Sequence, residues 1–547
     1  MKVVAAVFAD FSETLTGRAS CLTEILGSRT ILAHMLARAA RIRAIDTRLL
    51  VVRQRDQDAA ADALAQSGLD NEFELLAIDS GARPRRELIA AARKWSLSAW
   101  RGGLLGTTWF DEYVEPLEAG RILDRSAAEA VLCLDGSQPA LDPDLADRMI
   151  AHLQEHEAAA RYVFAQAPPG LAGVLLRRQT VRDLLESGQP LGLSLSYRPE
   201  QPRLDPITSD NCCRVARTIV ETGLRLTGDT IRSREILAAA FADLGEDASA
   251  EALCGYLVER NVSPAGMLPL EVELELTTQY PLPQTTLLPR GDCVRQRSVS
   301  DLGVIEKLFS QLGAYDDRMV VLGGHGDPLA HPLLAEVCHL ARDAGICGIA
   351  VVTPLVELSD AAFEALFDAK VDVVEVRLDA ATADTYARVH GADRFERVLA
   401  NIARIESERT TSNRPRPLIV PSITRCRATL DEIESFYDQW ITRVGSAVIR
   451  GYNDYCGVLE QDACPPLTPP IREPCRRLGR RLMLLADGRV AQCAQDINGD
   501  AALGDWTRAT LREIWSGVER EHLVRDHAKL DLRERPLCKR CGQWHIA

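Results

Sequence analysis

Glu271-Val-Glu-Leu-Glu-Leu276 alternates acidic and apolar side chains at period two, the pattern of a strand with one buried face. It opens a series. Arg318-Met-Val-Val-Leu322, Gly348-Ile-Ala-Val-Val352, Val371-Asp-Val-Val-Glu-Val-Arg377 and Leu418-Ile-Val-Pro-Ser422 follow. Stretches with helical spacing at 304–312, 332–344, 360–367 and 395–408 separate them. Repeated βα units predict a full or partial parallel barrel over 268–445, with its working face at the strand C-termini. Upstream, Val3-Val-Ala-Ala-Val-Phe8, Leu49-Leu-Val-Val52 and Ala130-Val-Leu-Cys-Leu134 read as buried strands between helical stretches. They predict an α/β domain over 1–235, and the Ala-rich segment 236–267 reads as a helical linker. From 446 to 547 the pattern breaks into short elements, Pro-rich loops and cysteines.

A chain of 547 residues, at roughly 100–200 per domain, has room for about three or four domains. With 46% hydrophobic and 26% charged residues it has the balance of a soluble globular protein. The net charge of −14 argues against a nucleic-acid surface. No window approaches 18 uninterrupted apolar residues, so no transmembrane helix is expected. The apolar start ends at Asp10, too soon for a signal peptide, and a cytoplasmic location is expected.

Of fifteen cysteines, the nine from Cys21 to Cys426 are scattered through largely apolar surroundings and read as small core hydrophobes. The other six lie beyond residue 455, where metal ligation is the leading reading. Their strongest pattern is Cys475-x17-Cys493-x44-Cys538-x2-Cys541. A C-x2-C pair lets two thiolates of one turn reach the same metal. Leu482-Met-Leu-Leu-Ala-Asp487-Gly488-Arg-Val490 reads as a hairpin that brings Cys475 and Cys493 together. Four thiolates complete a tetrahedral zinc site or an iron–sulfur cluster, and four unrelated buried cysteines are the bland alternative. Arg476, Arg477, Arg480, Arg481, Lys539 and Arg540 would offset the negative charge of either metal site. Cys456 and Cys464 are read as unligated, with a role as extra ligands the alternative.

The run from Cys475 through Asp487-Gly-Arg-Val-Ala-Gln-Cys493 and Leu511-Arg-Glu-Ile-Trp515 to Cys541 resembles a SPASM domain, the auxiliary iron–sulfur module of many radical S-adenosylmethionine (SAM) enzymes. The resemblance implies one [4Fe–4S] cluster on Cys475, Cys493, Cys538 and Cys541, with zinc the alternative. Residues 270–445 resemble the radical SAM core. Gly323-Gly-His-Gly326-Asp327-Pro328 is similar to its Gly-Gly-x-Gly-Glu-Pro motif, which implies SAM contacts from Gly324, Gly326 and Asp327; a tight turn at a strand end is the structural alternative. The three cysteines that hold the SAM-cleaving cluster in that family have as counterparts Tyr280, Gln284 and Leu287, with Cys293 alone six residues beyond. Without that cluster no 5′-deoxyadenosyl radical is expected, and SAM binding itself is left open.

The first domain is similar to nucleotidyltransferases of the nucleotide-sugar type. The position of that family's cation-binding aspartate is Ser137, with Asp135 two residues earlier. The loop Ala9-Asp-Phe-Ser-Glu-Thr-Leu-Thr-Gly17-Arg18 has one glycine, poor equipment for cradling phosphates, so the fold reads as degenerate. The segment Arg101-Gly-Gly-Leu-Leu-Gly106-Thr-Thr108-Trp109-Phe110-Asp111-Glu112-Tyr113 reads equally as a ligand site or as a loop packing its aromatics onto the sheet.

Taken together, the chain resembles the spiro-SPASM proteins: a doubly wound nucleotidyltransferase-like sheet, a partial (β/α) barrel and an irregular cysteine-rich SPASM module. The first functional expectation is an iron–sulfur scaffold or electron-transfer protein with an undefined small-molecule or protein partner and no catalytic residue assigned. The second is a nucleotidyl- or glycosyl-type transferase acting from the first domain, and the third an atypical radical SAM enzyme.

Overall fold

The computed structural model describes residues 1–15, 17–79, 83–197, 205–299 and 301–546, so Thr16 of the single-glycine loop lies outside it. The chain divides into two compact units, Met1–Pro264 and Ala265–Ala547.

The first unit is built on β1 (Val3–Ala9), whose seven residues are all buried, as a strand covered on both faces must be. Around it lie β4 (Thr47–Arg53), β5 (Glu74–Ile78), β6 (Ala130–Asp135), β7 (Tyr162–Ala165), β8 (Val174–Arg177) and β9 (Cys212–Cys213), in the order β5-β4-β1-β6-β8-β7-β9. A two-stranded hairpin, β2 (Ile25–Leu26) with β3 (Arg29–Thr30), stands apart. β5, β4, β1 and β6 run parallel, whereas β8 is antiparallel to both β6 and β7. Chain order reverses at β1, so a crevice opens at the strand C-termini, where doubly wound sheets bind ligands. Val3, Ala5 and Val7 face one apolar layer, and Val4, Ala6 and Phe8 face the other with Trp109, Phe110 and Ile122.

The segment read as a linker belongs to this unit. Helices Ile231–Leu244 and Ala250–Glu259 place Ile236, Leu237, Ala240, Phe241, Leu253 and Leu257 in the first apolar layer. Buried Arg38 donates to the carbonyls of Leu141, Glu246 and Ala248, which pins the loop between these helices to the sheet. An Ala-rich composition suits a close-packed layer as well as a spacer, which is why sequence alone misplaced it.

In the second unit, β10 (Glu271–Glu275), β11 (Met319–Gly323), β12 (Gly348–Thr353), β13 (Val373–Arg377), β14 (Leu418–Arg425) and β15 (Val448–Gly451) are parallel and adjacent in chain order. They make an open, partial barrel rather than a closed one. The cysteine-rich region adds β16 (Arg481–Leu484), parallel to β10 with Val272 opposite Leu482, then antiparallel β17 (Arg489–Ala491) and β18 (Gly504–Asp505). The tail is thus hydrogen-bonded into the barrel sheet rather than standing as a separate module. Val272, Leu274 and Leu276 pack under helices Leu302–Leu312 and Leu334–Asp343, and Glu271, Glu273 and Glu275 take the other face.

Candidate functional site

Local turns gather the four terminal cysteines. Cys475 precedes the turn Arg476–Gly479 that feeds β16, and Cys493 follows β17. Gly488 closes the hairpin at φ +96°, and a Cβ there would lie 2.9 Å from Asp505 Oδ1. Asp496 shapes the chain after Cys493 by accepting from the backbone N–H groups of Gln492, Asp500 and Ala501. Cys538 lies on the short helix Pro536–Arg540 and Cys541 caps its end. The Gln492 Nε2 amide donates to Cys538 Sγ at 2.6 Å, and the Gln543 N–H to Cys541 Sγ at 3.3 Å.

The thiols are close enough to perturb one another. Burial pushes Cys493 up to about 12, with Cys538, Cys541 and Cys475 adding to it. Burial, then Cys541 and Cys475, pushes Cys538 up to about 11. Burial also raises Cys475. Thiols that resist ionisation in each other's company are suited to a metal group that withdraws their charge. Among the described residues, no three His, Cys, Asp or Glu side chains are grouped to hold a single metal ion. Tetrahedral zinc, at about 2.3 Å per Zn–S bond, needs thiolates roughly 3.8 Å apart. A four-iron cluster holds each thiolate on a different iron and spaces them more widely.

A fifth thiol stands at this site. Cys456 Sγ lies 3.5 Å from the Leu537 carbonyl and 3.7 Å from Gln495 Oε1. Its contact with Cys541 holds the Cys541 thiol down and drives Cys456 the other way. Sequence spacing carried no sign of this, because the placement depends on Tyr455 and Cys456 both adopting left-handed backbone, φ +50° and +57°.

The barrel mouth is filled by the protein's own side chains. Buried Arg297 makes a two-pronged ion pair with Glu275 and donates to the Ile497 carbonyl at 2.7 Å. Glu275 also accepts from the His325 N–H. Glu375 pairs with Arg450, with Nε to Oε1 at 2.6 Å. Tyr280 lies under the Arg290 guanidinium, 4.7 Å from its ring centre, and Tyr455 packs edge-on to His325. Gln284 packs against Gly391, and next to it Thr285 Oγ1 meets His390 Nδ1 at 3.1 Å. Leu287 is half-buried and Cys293 exposed.

The glycine motif turns inward beneath this filling. Gly324 adopts φ +86°, and a Cβ on it would meet Glu275 Cβ at 2.8 Å. A Cβ on Gly326 would sit 1.9 Å from the Thr277 carbonyl oxygen. Asp327 is fully buried and caps the turn Pro328–Ala330, its Oδ1 accepting from Leu329 N–H at 3.1 Å. Its Oδ2 has no partner of hydrogen-bond geometry, and burial pushes its carboxyl up to about 7.

In the first unit, a cleft of about 110 Å³ opens at the C-terminal ends of β1, β4, β5 and β6. Asp10, Arg53, Arg86, Glu112, Asp135 and Asp229 are among its lining. The 101–113 segment packs its aromatics onto the sheet, as the second of its two readings expected, and also lines the cleft. Trp109 and Phe110 are buried behind a Thr108–Asp111 capping box, while Asp111, Glu112 and Tyr113 reach the cleft. Asp229 was not singled out from sequence, since an aspartate after Thr-Gly carries no local signature.

Two carboxylates of this cleft, Asp135 and Asp229, are taken up by donors of the chain itself and are poorly placed to ligate a divalent cation. Asp135 accepts from Ser137 N–H and Oγ, both at 3.0 Å. Asp229 accepts from Arg225 Nε at 2.9 Å and Nη2 at 2.5 Å, and from Thr227 Oγ1. Each oxygen of these two carboxylates already has a donor, whereas Asp111 Oδ1, buried on the same cleft, has none.

Residues 475–542 match the iron–sulfur cluster-binding domain SPASM. An uncharacterized protein of Treponema pallidum (strain Nichols) is 24% identical over 318 residues, spanning 56% of this chain and 86% of its own length. Among solved structures, Streptococcus suis SuiB bound to precursor peptide SuiA is 12% identical, covers 57% of this chain and 84% of its own, and has a TM-score of 0.42. A cytidylyltransferase from Leptospira borgpetersenii is 14% identical, covers 48% of this chain and 95% of its own, and has a TM-score of 0.34. Structural likenesses at such scores carry no argument about function; the SPASM match gives the C-terminal region its kinship with iron–sulfur proteins.

Proposed function

We propose that this is an iron–sulfur protein in which Cys475, Cys493, Cys538 and Cys541 hold one [4Fe–4S] cluster, while the partial barrel serves as a scaffold without radical chemistry. The observation that carries this reading is the gathering of four mutually perturbing thiols, with amide donors aimed at two of the sulfurs. The match of residues 475–542 to an iron–sulfur cluster-binding domain favours a cluster over zinc. When bound, such a group supplies one-electron transfer and cross-links the loops that carry its ligands. The Gln492 and Gln543 N–H groups would stabilise the anionic sulfurs, and neighbouring Arg472, which donates to the Cys538 and Cys541 carbonyls, would hold the C-x2-C turn in place.

The silence of the barrel rests on donor chemistry. After β10 the chain offers Tyr280, Gln284 and Leu287, and none is a thiolate. Gly324 and Gly326 are accounted for by close packing against Glu275 and Thr277, which weighs against a SAM-binding role. The test is anaerobic reconstitution with iron and sulfide. About four irons per chain, lost in Cys538→Ser and Cys541→Ser, is the expected result. Unchanged metal content in both variants would overturn the ligand assignment.

A further inference from the structure

Glu112 and Asp229 lie on the wall of the first unit's cleft with their side chains buried, and both meet the Arg225 guanidinium. Arg225 Nη2 lies 2.8 Å from Glu112 Oε2 and 2.5 Å from Asp229 Oδ2, while Nε reaches Asp229 Oδ1 and Nη1 the Leu97 carbonyl at 3.0 Å. The other oxygen of Glu112 takes Arg93 Nε at 2.8 Å. The guanidinium lies over the Trp109 ring, 5.0 Å from its centre, in the apolar layer that covers the sheet. Asp135, on the end of β6, is close enough to feel both Asp229 and Arg225.

Buried carboxylates facing one another need a cation, since desolvated like charges cost several kcal/mol each when unpaired. A divalent ion would demand several free oxygens at about 2.0–2.6 Å. A guanidinium supplies the charge instead, with a fork that matches carboxylate geometry. We propose that Arg225 is the resident cation of this cleft, standing where a divalent metal would otherwise bridge Glu112 and Asp229 beside Asp135, so that the cleft takes its ligand without a metal. The ligand class follows. Arg53 and Arg86 are committed to Asp10, and among the described residues the lining carries seven carboxylates, at Asp10, Glu13, Asp111, Glu112, Glu115, Asp135 and Asp229, against the four guanidiniums of Arg53, Arg85, Arg86 and Arg225. A nucleoside triphosphate would meet repulsion with no metal to offset it, so the occupant is a small molecule without a polyphosphate.

Manganese(II) binding to the full, cluster-loaded chain, followed by electron paramagnetic resonance, tests this. Wild type is expected to leave Mn²⁺ free, and CTP with Mg²⁺ is expected to give no heat on titration. Arg225→Met, which keeps the bulk and removes the charge, should melt at lower temperature and regain stability on addition of Mn²⁺. That rescue should vanish in the double variant Arg225→Met/Asp229→Asn. Mn²⁺ or Mg²⁺–CTP bound by wild type and lost in Asp135→Asn would overturn the proposal, as would a folded Arg225→Met that Mn²⁺ does not stabilise. If Arg225→Met fails to fold, the wild-type titrations decide alone.

Discussion

At the scale of single residues, the interior of the second unit is governed by buried charge. Glu275 and Arg297 are both essentially inaccessible and satisfied by each other, by nearby backbone and, for Arg297, by the Asn498 side-chain oxygen. Arg297→Met would strand the carboxylate, and a loss of about 3–5 kcal/mol is expected in denaturant unfolding. Adding Glu275→Leu should return most of it, because removing both charges leaves nothing unpaired. Asp327 makes the opposite case. Burial lifts its carboxyl from 3.8 to about 7, so the folded state holds the proton more tightly than the unfolded chain. Its contribution is therefore full below about pH 4 and is lost as pH rises through about 7. Asp327→Asn stays neutral and keeps the cap on Leu329. It should match wild type near pH 4 and exceed it above pH 7 by up to about 4 kcal/mol, as unfolding at several pH values would reveal. A constant difference across pH would refute the buried-acid assignment.

At the scale of elements, the glycine motif separates a packing role from a cofactor role. Gly326 backs onto the Thr277 carbonyl, so Gly326→Ala has to displace β10's following loop. A loss of about 3 kcal/mol or more is expected with no SAM present. Unchanged melting, together with lost SAM affinity, would contradict the packing account. What the sequence made legible here follows its periodicities. The period-two run 271–276 announced β10, and the all-apolar run 3–9 announced a strand buried on both faces. The acidic face of β10 was not legible as interior, because its partner Arg297 comes from a loop whose path no local pattern dictates. Cys475, Cys493, Cys538 and Cys541 could be singled out because hairpin and C-x2-C spacings are local devices. Arg225 could not, and Cys456 was legible only as an alternative extra ligand, since both reach their sites through backbone conformations and long-range packing that leave no spacing behind.

At the scale of the whole molecule, two units of similar size have separate cores, and the four thiols assigned to the cluster all belong to the second. Calorimetry under anaerobic conditions should resolve two transitions. Removing iron with a chelator should lower only one of them, the one also lowered by Arg297→Met. Loading should depend on pH in a fixed direction. Cys493 and Cys538 must lose protons that burial holds to about 12 and about 11, so iron uptake weakens as pH falls. Equal uptake at pH 6 and pH 8.5 would contradict that linkage.

The most direct measurement is iron and sulfide content of the anaerobically reconstituted chain, read together with 5′-deoxyadenosine formation from SAM and a reductant. About four irons and four sulfides per chain with no 5′-deoxyadenosine is the predicted outcome. About eight irons with SAM-dependent product would contradict the account, because the barrel would then hold a cluster that its own side chains give it no means to bind.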